Sequence, residues 1–215
     1  MPKDTVAEGS WRAVHPTDAA NLLASSKAPW WIAGGWALDL FRGTPTRPHA
    51  DLDVGVLRRD VGSLLQSLPT WEVFEARDRR LTRLAAGCVP LLDVHSLWCR
   101  PTAADLWTIE LMLDEADGDT WIYRREPGVR RPMSTVVQQT PDGLPYLAPE
   151  IQLLYKSKGS RQRDDADFAQ VWPLLDADAR TWLHDALELT SPDHRWISVL
   201  RPSDAGPSNP TGASS

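Results

Sequence analysis

Two aspartates one residue apart, Asp51 and Asp53, open a stretch of alternating polar and apolar character, DLDVGVL (51–57). In an extended strand, residues i and i+2 point to the same side, with roughly 6.5–7 Å between them along the chain. Two carboxylates so placed can share metal ions. Displacement at phosphorus by the two-metal route needs such a pair: one ion activates the attacking hydroxyl and the other neutralises the departing oxyanion, the ions lying roughly 3.5–4 Å apart. Magnesium prefers oxygen ligands of this type. Spacing alone does not single the pair out, because Asp117 and Asp119, Asp165 and Asp167, and Asp176 and Asp178 repeat it. Those three pairs fall in turns or at helix starts, where solvated or capping aspartate is the ordinary role. Only Asp51 and Asp53 fall on a strand-like pattern.

The elements around the pair must position it. WWIA (30–33) reads as a short buried strand, Gly34 and Gly35 as a tight turn, and WALDLFRG (36–43) as a helix closed by Gly43. Arg47 and His49 follow in the loop TPTRPHA, just ahead of the aspartates. Upstream, TDAANLLASS from Thr17 reads as a helix that Pro29 stops. Downstream, RRDVGSLLQSLP reads as a helix ended by Pro69. The segments WEVFEA, LLDVHSLW (91–98) and WTIELML (107–113) read as strands. ADGDT then turns WTIELML into WIYRR as an antiparallel hairpin, where the sheet is expected to end. After DGLPYL the pattern changes: PEIQLLYKSKG, DADFAQVWPLL and DARTWLHDALEL each place apolar residues three and four apart. The reading is an α+β chain with a mixed sheet and flanking helices over 12–135 and a small helical part over 146–200. A Pro, Gly and Ser rich tail over 201–215 is expected to be disordered.

Composition sets bounds on the chemistry. With 215 residues, 42% hydrophobic and 24% charged, the chain has the balance of an ordinary folded protein. A net charge of -6 argues against a surface that holds long nucleic acid, and suits an amine-bearing small molecule. Cys88 and Cys99 make neither a disulfide framework nor a zinc site. The first ten residues lack the apolar core of a secretory signal, and no apolar run approaches the ~20 residues of a membrane span. No membrane partner is expected, and the cytoplasm is the expected address. Eleven tryptophans against three Phe and three Tyr predict an indole-rich core.

The stretch WIAGGWALDLFRGTPTRPHADLDVGV resembles the N-terminal motif of the aminoglycoside and lincosamide nucleotidyltransferases, within the DNA polymerase beta type nucleotidyltransferase superfamily. The later block DGLPYLAPEIQLLYKSKGSRQRDDADF is similar to the C-terminal helical part of aminoglycoside-adenylyltransferase-like proteins. The resemblance implies a polymerase beta-like sheet, with Gly34 and Gly35 letting the backbone approach a nucleoside triphosphate at a helix N-terminus. Asp51 and Asp53 would hold magnesium, Arg47 would pair with a phosphate, and His49 would orient a phosphate or a metal ligand. Asp39 is read as a structural hydrogen-bonding residue.

A third carboxylate, as metal ligand or general base, is implied from a later strand, and both Asp93 and Glu110 are open for that place. Of Lys156 and Lys158, which do not share a helix face, Lys158 is the one assigned to phosphate. Asp164, Asp165 and Asp167 read as helix-capping charge and Arg124 and Arg125 as a solvated strand. The implied activity is magnesium-dependent transfer of a nucleoside monophosphate, AMP from ATP, to a hydroxyl of a small acceptor such as an aminoglycoside or lincosamide antibiotic, with loss of pyrophosphate. Two alternatives are a toxin-type transferase acting on protein or tRNA, and a catalytically silent nucleotide-binding protein of the same fold.

Overall fold

A computed structural model describes residues 10–102, 106–159 and 161–200; the tail expected over 201–215 lies outside the described residues. The chain opens with α1 (Pro16–Leu22), β1 (Trp30–Ile32), α2 (Gly34–Arg42), β2 (Asp53–Leu57) and α3 (Val61–Leu65). Five strands follow, β3 (Trp71–Arg77), β4 (Arg80–Arg83), β5 (Ser96–Pro101), β6 (Ile109–Asp117) and β7 (Thr120–Ile122). Three shorter strands, β8 (Arg130–Pro132), β9 (Val137–Gln139) and β10 (Pro145–Leu147), lead into α4 (Pro149–Ser157), α5 (Gln162–Val171), α6 (Ala177–Thr190) and α7 (Ile197–Leu200).

The main run of the sheet is ordered β4-β3-β5-β6-β2-β1-β10-β9, with β7 and β8 continuing from the far end of β6. It is mixed: β2 lies parallel to β6 and β1 parallel to β10, while the other pairs are antiparallel. The hairpin of β6 and β7 forms where ADGDT predicts it. The sheet does not end there, however, because β10 inserts beside β1 and brings β9 with it. These added strands are three residues long, too short to show a period of two. The β3–β4 hairpin also escapes the sequence reading, since its turn is built on Asp78 and Arg79, both at positive φ, in place of the usual Asn-Gly.

One apolar core joins the central strands to the helices, and Ile32, Val54, Leu111, Leu153 and Leu183 are all fully buried in it. A smaller cluster packs Phe74 and Leu81 on Trp107, with Trp11 and Trp98 edge-on to one another at 4.9 Å. The indole-rich packing expected from composition is therefore present. Both helix α4 and helix α5 pack on α2, which in turn packs on β2 and β10. Among the described residues no helix is long and apolar enough to cross a membrane.

Candidate active site

Strand β2 begins at Asp53, two residues later than the DLDVGVL pattern suggests, and Asp51 sits in the bend before it. The extended run nonetheless continues back through Leu52, whose carbonyl accepts the Glu110 N–H at 2.9 Å. That keeps Asp51 and Asp53 on one side, and the parallel register of β2 and β6 sets Glu110 directly beside Asp53. Carboxylate oxygens from Asp51, Asp53 and Glu110 all lie within 4.8 Å of one another. Burial pushes the Asp53 carboxyl well above the usual carboxylate range, and the charges of Glu110 and Asp51 push it further. Glu110 is raised for the same reasons, burial first, although the Ser96 hydroxyl donates to it at 2.6 Å. Three converging oxygens that repel one another are the donor set a divalent cation relieves, so these residues fit magnesium.

The glycines are the first two residues of α2, in place of the separate turn before a helix starting at Trp36 that the sequence suggests. Gly34 takes φ +65°, which swings the chain from the extended Ala33 straight into the helix. A Cβ there would also overlap the Asp53 carboxylate. At Gly35 a Cβ would stand 2.5 Å from His49 Nδ1 and 2.8 Å from the Arg47 guanidinium. The missing side chains are what allow the carboxylates, His49 and Arg47 to close on this helix start. His49 is buried and fixed by Asp39, with Nε2 2.6 Å from Oδ2, while the other Asp39 oxygen accepts from the Thr46 hydroxyl at 2.7 Å. Asp39 thus has the structural role read for it from the sequence.

Above the carboxylates a cavity of about 420 Å³ opens between the strand ends and helices α4 and α5. Its basic wall is held by buried carboxylates lying behind it. Lys156 Nζ reaches Asp167 at 2.8 Å and Asp164 at 3.4 Å, and Arg47 reaches Asp167 at 3.5 Å. Arg161 in turn grips Asp164 at 2.7 Å. The Gly34 N–H is held by Gln152 Oε1 of α4 at 2.7 Å, which ties this wall to the start of α2.

The structure therefore brings Asp51, Asp53, Glu110, Gly34, Gly35, Arg47 and His49 to one cavity. Asp93 is not among them. It lies in the turn before β5, pairs with Arg77, and is largely exposed, because Arg58 ties the carbonyls of Leu91 and Val94 into a loop in place of a strand. Lys158 is likewise exposed at the end of α4, and Lys156 faces the cavity instead. Asp164 and Asp167, read as capping charge, are buried partners of that lysine, and Arg124 and Arg125, read as solvated, line the cavity. The signal for Lys156 was present: Gln152 and Lys156 are one helical turn apart, polar members of a segment otherwise rich in Ile and Leu.

The model of the aminoglycoside-2''-adenylyltransferase family matches residues 17–171, well over half of the chain. Among solved structures, the lincomycin-bound lincosamide antibiotic adenylyltransferase LnuA is similar with a TM-score of 0.52 at 15% identity, over 77% of this chain and 99% of that one. The antibiotic-resistance factor ANT(2'')-Ia in solution gives 0.49 at 15% identity, over 80% and 87%. An antigenic nucleotidyltransferase-like protein from Paracoccidioides brasiliensis gives 0.42 at 18% identity, over 86% and 89%. No match is found among curated proteins. The family pattern spans the helix start, the aspartate pair and the lysine-bearing helix together, and the chain belongs to the aminoglycoside-2''-adenylyltransferase family of nucleotidyltransferases.

Proposed function

We propose that this protein transfers AMP from ATP to a hydroxyl of a small antibiotic acceptor, of the aminoglycoside or lincosamide kind, and releases pyrophosphate. One observation carries the reading: three carboxylates within 4.8 Å of one another form the floor of a cavity whose other wall is cationic. Magnesium, when bound by Asp51 and Asp53, would screen the triphosphate and lower the pKa of the attacking hydroxyl. The chain's own residues do the rest. Lys156 and Arg47, held in place by Asp167, supply charge for the β and γ phosphates, and the Gly35 N–H at the start of α2, next to the Gly34 N–H that Gln152 takes, is left for the same anion. Glu110, with one oxygen occupied by Ser96, offers the other to the acceptor hydroxyl and takes its proton as the oxygen bonds to the α phosphorus. The bond from that phosphorus to the bridging oxygen breaks, and pyrophosphate carries the electron pair away.

The test is pyrophosphate release by the purified protein with magnesium and each nucleoside triphosphate, against a panel of aminoglycosides and lincosamides. Acceptor-dependent release with ATP, absent in Asp51→Ala and Asp53→Ala proteins, is the expected result. Silence across the panel with ATP binding intact would overturn the choice of acceptor.

A further inference from the structure

We infer that Gln152 binds the nucleotide: its side-chain amide accepts from the start of α2 and donates to the β or γ phosphate. The inference rests on the nucleotidyl-transfer reading and adds a donor to its phosphate side. Gln152 stands on α4 between Ile151 and Leu153, both fully buried, and is itself only 6% exposed. An amide in such a setting is costly unless its oxygen and its nitrogen both find partners. The oxygen has one, since Oε1 accepts the Gly34 N–H at 2.7 Å. That contact also fixes the orientation of the group: a backbone N–H can be accepted only by the amide oxygen, so the two hydrogens of Nε2 are left to point elsewhere. Nε2 donates to no group of the chain among the described residues, yet it is not sealed in the core, and Gln152 lines the cavity above the carboxylates.

The neighbours of this donor decide what suits it. Lys156 follows one helical turn along α4, on the same face, and lines the same cavity together with Arg47 and Gly35. A neutral donor set among cations and beside a helix start calls for an anion. The amide also explains why the first N–H of α2 is given to a side chain. From the Gly34 N–H through the amide of Gln152 to a phosphate oxygen, the dipoles run head to tail, so the positive end of the helix is carried one group further into the cavity and each bond polarises the next. In two-metal transfer the α phosphorus lies over the carboxylates, so a donor on the helix side serves the two phosphates that leave.

The test is binding without acceptor. ATP, ADP, AMP and inorganic tripolyphosphate are titrated with magnesium into the unaltered protein and into Gln152→Met, which keeps the length of the side chain. Loss of one hydrogen bond to a charged group should weaken ATP, ADP and tripolyphosphate about tenfold each and leave AMP within about twofold. Because the variant also frees the Gly34 N–H, a second measurement uses the unaltered protein: the side-chain amide protons of Gln152 are followed by NMR, assigned through their contact with the Gly34 amide. They should move downfield with ATP and with tripolyphosphate and stay in place with AMP, a response that a strut between two helices would not give. Amide protons that stay in place at saturating ATP overturn the inference, as do an unchanged ATP affinity in Gln152→Met, equal losses for AMP and ATP, or absence of binding by both ATP and tripolyphosphate. Pyrophosphate release is assayed separately. A protein whose Gln152 amide responds to ATP yet transfers nothing refutes the transfer reading and leaves the phosphate contact standing; transfer with an unresponsive amide does the reverse.

Discussion

Replacing Asp53 by Asn should make the metal-free protein more stable at pH 8 while abolishing nucleotidyl transfer. Its carboxylate lies within 4.8 Å of those of Asp51 and Glu110. At that separation and an effective dielectric of about 20, two unit charges repel by roughly 3.5 kcal/mol. Two such repulsions bear on Asp53 in addition to its burial, and Lys156 and Arg163 offset part of them. A net relief of about 2 kcal/mol follows, which for a chain of this length raises the melting temperature by about 4–8 °C. The pH dependence has a definite sign. A carboxyl whose folded pKa is raised favours the fold below its unfolded value and loses that contribution as pH climbs through the folded one. The advantage of the variant is therefore absent at pH 4 and grows as pH rises toward 8. Magnesium should raise the melting temperature of the unaltered protein and do little for Asp53→Asn, because binding stabilises only the state that binds. Scanning calorimetry of both proteins at pH 4 and pH 8, with chelator and with magnesium, checks every part. A variant that melts at or below the unaltered protein at pH 8 in chelator would refute the view of this cluster as mutually repelling until it is metal-bound.

Other perturbations separate structural from chemical roles. Gly35→Ala drives a methyl against His49 and Arg47, and should cost about 1–3 kcal/mol in urea unfolding and most of the activity. Lys156→Met leaves the buried Asp164 and Asp167 to Arg161 and Arg47 alone and should cost about 1–3 kcal/mol. Lys158→Met, one turn end away and exposed, should stay within about 0.5 kcal/mol by the same titration. Burial raises Asp114 to about 6, and the Tyr155 hydroxyl holds it down from a higher value. Tyr155→Phe should thus cost about 1.5–3 kcal/mol at pH 8, where a charged acceptor loses its donor, and less at pH 5, where the carboxyl is protonated. Equal losses at both pH values would rule out that account.

The strands that carry the chemistry were legible because each shows a pattern long enough to read. DLDVGVL alternates polar and apolar in sequence around the start of β2, although β2 itself is buried from Val54 to Leu57, β6 alternates over its first five residues, and β1 is an apolar run stopped by glycines. Strands β8, β9 and β10 were not legible, since three residues cannot display a period and their pairing depends on partners far along the chain. The same distinction explains Asp93. LLDVH has the composition of a strand, yet Leu91 and Leu92 are exposed, because Arg58, more than thirty residues earlier, takes the carbonyls of Leu91 and Val94 that a ladder would have used. The Val94 N–H also closes a turn on the Leu91 carbonyl at 3.0 Å, directly after Pro90, so a local turn and a long-range donor act together there.

The cationic wall shows what further could have been read. Asp164 and Asp167 are three apart on one face of α5, and Gln152 and Lys156 are four apart on one face of α4. Capping accounts for acidic charge in a first helical turn, but it does not require that charge to lie on the same face as Phe168 and Val171, which are buried. Polar residues that interrupt the apolar face of one helix, matched by opposite charges interrupting the apolar face of the next, imply a buried ion pair across the two. Such a pair is costly to desolvate and adds little to stability by itself. Its presence beside the Gly-Gly helix start makes sense if the lysine is kept there, charged and oriented, for an anion that the fold alone does not supply.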